Sequence, residues 1–203
     1  MVQYFIDGGD FMWPILILLV LGLMISLERF WTLTRASVNT RKFLKNVKDA
    51  LNEGGVPKAL EVCENTRGPV ASIFHAGLSR TDQGVDAVEK SITSAGSIEM
   101  AFLERGLIWL ATVINLAPML GFTGTVVGMI GAFEAIKAAN DISPSIVAGG
   151  ISVALLTTAF GLIAAIIIQT FHNYFVSRID ALIIDMEESS NELVDTLISL
   201  EKK

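Results

Sequence analysis

The chain has 203 residues, of which 52% are hydrophobic and 18% charged, with a mean hydropathy of +0.57 and a formal net charge of −6. The charged share lies below the roughly 25% of soluble domains, and no basic stripe suited to a phosphate backbone is present, which argues against nucleic acid as a partner. One cysteine, Cys63, excludes an intrachain disulfide and a zinc site built on several cysteines.

Residues 1–10 hold no Lys or Arg. They lack the positive region of a secretory signal, so the first apolar segment is expected to stay as an anchor, with 1–10 as an external N-terminus. A charge-free run follows from Phe11 to Leu27. A helix of about 20 residues, rising about 1.5 Å per residue, crosses a bilayer core of roughly 30 Å. Span one is therefore placed at residues 11–31. Trp13 and Trp31 fall near the two interfaces, where aromatic side chains are favoured. Pro14 sits in the first turn, where its missing N–H costs nothing.

Residues 32–105 read as a cytoplasmic helical region. Val38 to Leu51 has Phe43, Leu44, Val47 and Leu51 at helical spacing. Gly54-Gly55 ends that helix, and Pro57 to Glu64 forms a second. Pro69 opens a third, with Val70, Ile73, Phe74 and Leu78 on one face. Thr81-Asp82 starts a long helix expected to run unbroken into span two. Cys63 is expected to be a small buried apolar residue.

Span two is Gly106–Phe133. The third apolar run extends from Ile142 to Ser177, with its membrane part at 147–177. Residues 134–146 form a short external loop broken by Asn140, Asp141 and Pro144. Basic residues crowd 32–105 (among them Arg35, Arg41, Lys42, Arg67 and Arg105), while 134–146 has Lys137 alone. The excess of Lys and Arg places 32–105 and the C-terminal helix 178–203 in the cytoplasm. In that helix Ile179, Leu182, Ile183, Met186, Leu193 and Leu197 form an apolar stripe. The expected fold is an all-α integral membrane protein with three spans, two of them long and extending into a helical cytoplasmic domain.

Span two carries Gly121, Gly124, Thr125, Gly128, Gly131, Ala132 and Ala135, whose spacing permits close helix approach in lipid. Span three carries Ala154, Thr158, Gly161, Ala165, Gln169 and His172 on one stripe, opposite Ile163, Ile166 and Ile167, which suit lipid. Thr125 lies roughly 13 Å from the outer end of its span and Thr158 roughly 17–20 Å from the outer end of its own. Their hydroxyls can therefore share a depth, with Thr157 turned about 100° from Thr158. Two readings of this pattern stay open: helix packing, and the wall of an ion path. No ionisable group lies deep in any span, so a proton relay would need a carboxylate from another chain. There is no nucleophile motif, phosphate loop or His/Cys/carboxylate cluster, so neither an enzyme, a metal site nor a cofactor is expected.

Three stretches carry a resemblance. Ile25-Ser-Leu-Glu28-Arg29, Pro118 through Phe133, and Gly150 through Ala165 resemble segments of the MotA/TolQ/ExbB proton-channel proteins, on their ExbB and TolQ branch. Arg67-Gly-Pro-Val70 also resembles a cytoplasmic segment of that family. The resemblance implies a homo-pentamer in the bacterial inner membrane, N-terminus periplasmic and C-terminus cytoplasmic, whose second and third helices line a central pore. It implies a dimer of an ExbD-like or TolR-like single-span protein in that pore, and a TonB-like periplasm-spanning protein beyond it. It matches Thr125 and Thr158 to the family's pore threonines; the small and polar pattern of the two helices adds Thr157, Gly121, Gly124, Gly128, Gly161, Ala165 and Gln169 as candidate pore-lining residues. One departure stands out: Val153 replaces the Glu usual in ExbB and TolQ. Thr157 replaces the usual Ala, which resembles sodium-driven subunits, so H⁺ is the default ion and Na⁺ the alternative. A passive homo-oligomeric channel and a membrane scaffold are the competing readings.

Overall fold

The computed structural model describes residues 2–36, 40–139 and 144–201. The expected helix start at Val38, the start of the third apolar run at Ile142, and Asn140 and Asp141 of the loop lie outside the described residues. No strand occurs among the described residues. The helices are α1 (Val2–Asp7), α2 (Met12–Ala36), α3 (Thr40–Glu64), α4 (Pro69–Leu78), α5 (Val85–Leu103), α6 (Leu107–Ala139) and α7 (Pro144–Glu201). Three helical stretches are long and apolar enough to cross a membrane, and the protein is a multi-pass membrane protein.

The helix expected to run unbroken from Thr81 into span two is interrupted twice. Thr81–Gln83 forms only a 3₁₀ turn, closed by Gly84 at φ 92, and α5 begins at Val85. It ends at Leu103, and Gly106 at φ 89 precedes α6. Both glycines occupy a region that a Cβ disfavours. By contrast, α3 breaks where Gly54-Gly55 suggested: Gly55 adopts φ 67, ψ −162, and Pro57 follows.

The chain divides into two compact units. The first comprises Met1–Arg29 and Gly106–Tyr174. Its core is built where Ile15 of α2 meets Ala117 of α6 and Ala164 of α7, flanked by Leu19, Leu120 and Phe160. Further along α2, a Cβ on Gly22 would lie 2.8 Å from Ile168 and 3.4 Å from Val113. A side chain at 22 would force the Ile168 side chain aside while only touching Val113, so glycine eases the α2–α7 approach. From Ile15 to Gly22 the contacts move from Ala164 to Ile168 in α7 and from Ala117 to Val113 in α6, so α2 runs with α7 and against α6. The outward residues Ile163, Ile166 and Ile167 are exposed on α7, as expected of a lipid face. At the N-terminus Phe5 packs edge-on against Trp13 and Phe160, at centroid distances of 5.3 and 5.8 Å. At the other end of α2, Glu28 and Arg29 form a forked pair, Nε to Oε2 at 2.7 Å and Nη2 to Oε1 at 2.9 Å. Arg29 is buried beside Gly106, where a Cβ would stand 3.5 Å from its Nε.

The second unit comprises Phe30–Arg105 and Phe175–Lys203. Its core takes Phe43 and Val47 from α3, Ile73, Phe74 and Leu78 from α4, and Val88 and Ile92 from α5. Phe175, Ile179, Met186 and Leu193 are buried on the α7 stripe, while Ile183 and Leu197 are half-buried. The Phe43 and Phe74 rings lie 5.4 Å apart. A Cβ on Gly77 would come within 2.7 Å of Ile92, which explains the close α4–α5 contact. The Ser91 hydroxyl donates to the Ala76 carbonyl across that contact at 2.8 Å.

Cys63 is buried in this unit. Burial, aided by the charge of Glu64, pushes its thiol up to about 12 from an ordinary value near 9. The thiolate is the reactive form. Folded protein treated with a maleimide at about pH 8 should therefore stay unlabelled, and should take up one label on denaturation. Mass spectrometry of the two samples checks this.

Candidate ion-path site

The seam between α6 and α7 is lined by the small residues of both helices. A Cβ on Gly121 would lie 2.9 Å from the Thr157 carbonyl oxygen. One on Gly128 would lie 3.0 Å from the Gly150 carbonyl, and one on Gly161 2.5 Å from the Ala117 carbonyl. One on Gly150 would lie 2.5 Å from the Ala132 Cβ. These pairs step in opposite directions along the two helices, so the helices are antiparallel and nearly in backbone contact. Gly121, Gly124, Gly128 and Gly161 are all buried in this seam within one chain. Gly131 and Gly149 meet nothing within 4 Å.

Close approach brings the two expected threonines together. The Thr125 and Thr158 hydroxyls are in direct contact. Thr125 Oγ1 lies 3.2 Å from the Ala154 carbonyl oxygen and 3.3 Å from that of Gly121. Thr158 Oγ1 lies 3.2 Å from the same Gly121 carbonyl. Each hydroxyl has one proton and two lone pairs. The two protons cannot satisfy all of these contacts at once, so the group is rich in uncommitted oxygen lone pairs. Both threonines are half-buried. The set is neutral: it can solvate a small cation or hydrogen-bond a carboxylate, but it does not titrate near neutral pH.

Thr157 is placed differently. It is 0% exposed, packs its side chain on Gly124, and donates back along its own helix to Val153 (2.9 Å) or Ala154 (3.0 Å). Ala165 is buried. Gln169 is half-buried and donates to Asn173 Oδ1 at 2.7 Å. Asn173 sits four residues on, a spacing from which this partnership could be read. The Gly121 and Ala154 carbonyls also belong to the group, and no residue type announces them. Toward the end of the seam where α6 finishes, a cavity of about 320 Å³ is lined by Gly124, Gly128, Val153 and Asp10, among others. Val153 supplies no charge there. α6 continues through Pro118, which has no N–H to offer the Ile114 carbonyl one turn earlier.

Comparison with known proteins gives concordant results. The model of the MotA/TolQ/ExbB proton channel family matches residues 65–188. A biopolymer transport protein ExbB homolog of Methanothermobacter thermautotrophicus is 33% identical over 180 residues, covering 88% of this chain and 64% of that protein. An ExbB-like biopolymer transport protein of Synechocystis is 32% identical over 170 residues, covering 82% of this chain and 66% of that protein. The Tol-Pal system protein TolQ of Pseudomonas aeruginosa is 36% identical over 125 residues, covering 56% and 54%. The chain thus spans slightly less than two thirds of the length of the first two relatives.

Proposed function

The chain belongs to the MotA/TolQ/ExbB proton channel family, and from that premise we propose that it is the stator subunit of an ion-driven motor in the bacterial inner membrane. In this reading five copies surround a pore, with residues 11–31, 106–133 and 147–177 as spans. Residues 1–10 and 134–146 face the periplasm, and 32–105 and 178–203 the cytoplasm. α6 and α7 form the pore wall. An ExbD-like or TolR-like single-span dimer occupies the axis, its membrane carboxylate carrying the ion. Its movement is passed to a TonB-like protein that works in the envelope.

The observation that carries the proposal is the Thr125–Thr158 hydroxyl pair with the Gly121 and Ala154 carbonyls. It gathers four neutral oxygens in the membrane unit, where such groups are costly unless they have partners. A carboxylate brought opposite this group can accept from a threonine O–H when ionised and donate to a carbonyl when protonated. That is what a passing proton carrier requires. The seam glycines hold the wall helices together so that both hydroxyls reach one point, while Ala165 and Gln169 continue the wall toward the inner end. Thr157, on which a sodium reading leans, bonds to its own helix, which favours the proton. A gradient of about 100 mV supplies roughly 2.3 kcal/mol per charge, so work accumulates over repeated steps.

Affinity purification from native membranes should recover a small single-span protein with an Asp or Glu in its apolar segment. Recovery of a homo-oligomer alone, conducting ions in liposomes, would instead establish the passive channel.

A further inference from the structure

The second unit holds an open cavity of about 760 Å³ that the ion path does not use. Its walls come from the last turns of α2, the ends of α3 and α5, and the start of α4. Arg35 and Arg67 line it, and neither guanidinium has a carboxylate partner among the described residues. Arg35 instead stands 5.7 Å from the centroid of the Trp31 ring. The start of α4 faces the same space, with Gly68 as N-cap and no side chain capping the helix. Two carboxylates complete the wall. Glu64 lies 3.4 Å from His75 Nε2, whereas Glu99 has no ion-pair partner among the described residues. Trp31 and Phe102 line the cavity and remain 66% and 52% exposed.

Chain connectivity sets the depth of this cavity. Trp31 is one helical turn past Leu27, where the charge-free run ends, and Phe102 is a few residues before Leu107, where α6 begins. At about 1.5 Å per residue along α2, Trp31 is within several ångströms of a span end, and Phe102 is joined to the start of α6 by a short turn. Exposed aromatic rings belong at that boundary. A guanidinium fork suits a phosphate there. A free phosphate dianion would bring only negative charge to a wall that also carries Glu64 and Glu99. A zwitterion answers both signs.

We propose that this cavity binds the head of one phosphoethanolamine lipid. Arg35 and Arg67 hold its phosphodiester, Glu99 accepts from its ammonium, and Trp31 and Phe102 cover the first acyl carbons. The inference rests on the membrane topology given above and not on ion flow.

The test uses the delipidated assembly in detergent, titrated with phosphatidylethanolamine, phosphatidylglycerol or inorganic phosphate and read by native mass spectrometry. The wild type should hold phosphatidylethanolamine about tenfold more tightly than R35Q/R67Q, the loss of two charge-assisted contacts. R80Q should bind as the wild type does, since Arg80 pairs with Gln83 outside the cavity. E99Q should lose the preference for phosphatidylethanolamine over phosphatidylglycerol. If the double variant does not assemble, R67Q alone, at an exposed loop residue, should weaken binding a few-fold. Equal binding by wild type and R67Q, an intact assembly that takes up no lipid because a second copy covers the cavity, or displacement of the lipid by inorganic phosphate would each overturn the proposal. An unchanged preference in E99Q would overturn the ethanolamine assignment.

Discussion

Replacing Thr158 by Val should reduce ion-driven work to below about a tenth of the wild-type level, with helix content and assembly unchanged. The substitution keeps the branched shape and removes one hydroxyl from the oxygen group shared with Thr125, Gly121 and Ala154. A hydrogen bond lost in a poorly solvated place costs about 1–3 kcal/mol, and about 1.4 kcal/mol is tenfold. Thr158→Ser retains the hydroxyl and should keep most of the activity. Thr157→Val makes the same chemical change one residue away, where the hydroxyl bonds only to its own helix, and should have the milder effect. Gradient-dependent work measured in cells, with assembly checked on the same samples, separates these outcomes. Full activity in a correctly assembled Thr158→Val protein would falsify the ion-path role.

Gly161→Ala should lower the stability of the purified assembly by about 1–3 kcal/mol, the usual range for forcing a methyl into a packed contact. The added Cβ would stand 2.5 Å from the Ala117 carbonyl oxygen and 3.2 Å from the Gly121 Cα. Both are backbone atoms, so α6 and α7 must separate rather than repack a side chain. Because Gly161 lies one turn from Thr158, separation also pulls apart the hydroxyl pair, and activity should fall with stability. Gly131→Ala is the matched control. A Cβ there meets nothing within 4 Å, and alanine is the better helix former, so this variant should be neutral or slightly more stable. Thermal unfolding in detergent measures both; equal midpoints for the two variants would refute a tight seam.

Much of this arrangement was readable from residue order. The spans announce themselves through long runs without charge, and the core face of α4 through Val70, Ile73, Phe74 and Leu78, all of them buried. Gly54-Gly55 before Pro57 marked the break in α3 because two flexible residues and a missing N–H coincide. Gly106 is inconspicuous for the opposite reason. It sits between Arg105 and an apolar run, where a single glycine is compatible with a continuous helix, and only its positive φ shows the interruption. The difference between Thr157 and Thr158 was equally hidden. They are about 100° apart, and both enter the seam, Thr157 packed on Gly124 and Thr158 against Thr125, so periodicity does not tell which hydroxyl turns back onto its own helix. The carbonyls of Gly121 and Ala154 follow from how the helices cross, a property that no residue type encodes.

The quiet thiol of Cys63 has a practical consequence. Because the chain has no other cysteine, any new cysteine placed on its surface becomes the sole address for a spin label, fluorophore or cross-linker. Pairs of probes could then follow movements of the chain in the membrane on an otherwise unaltered background.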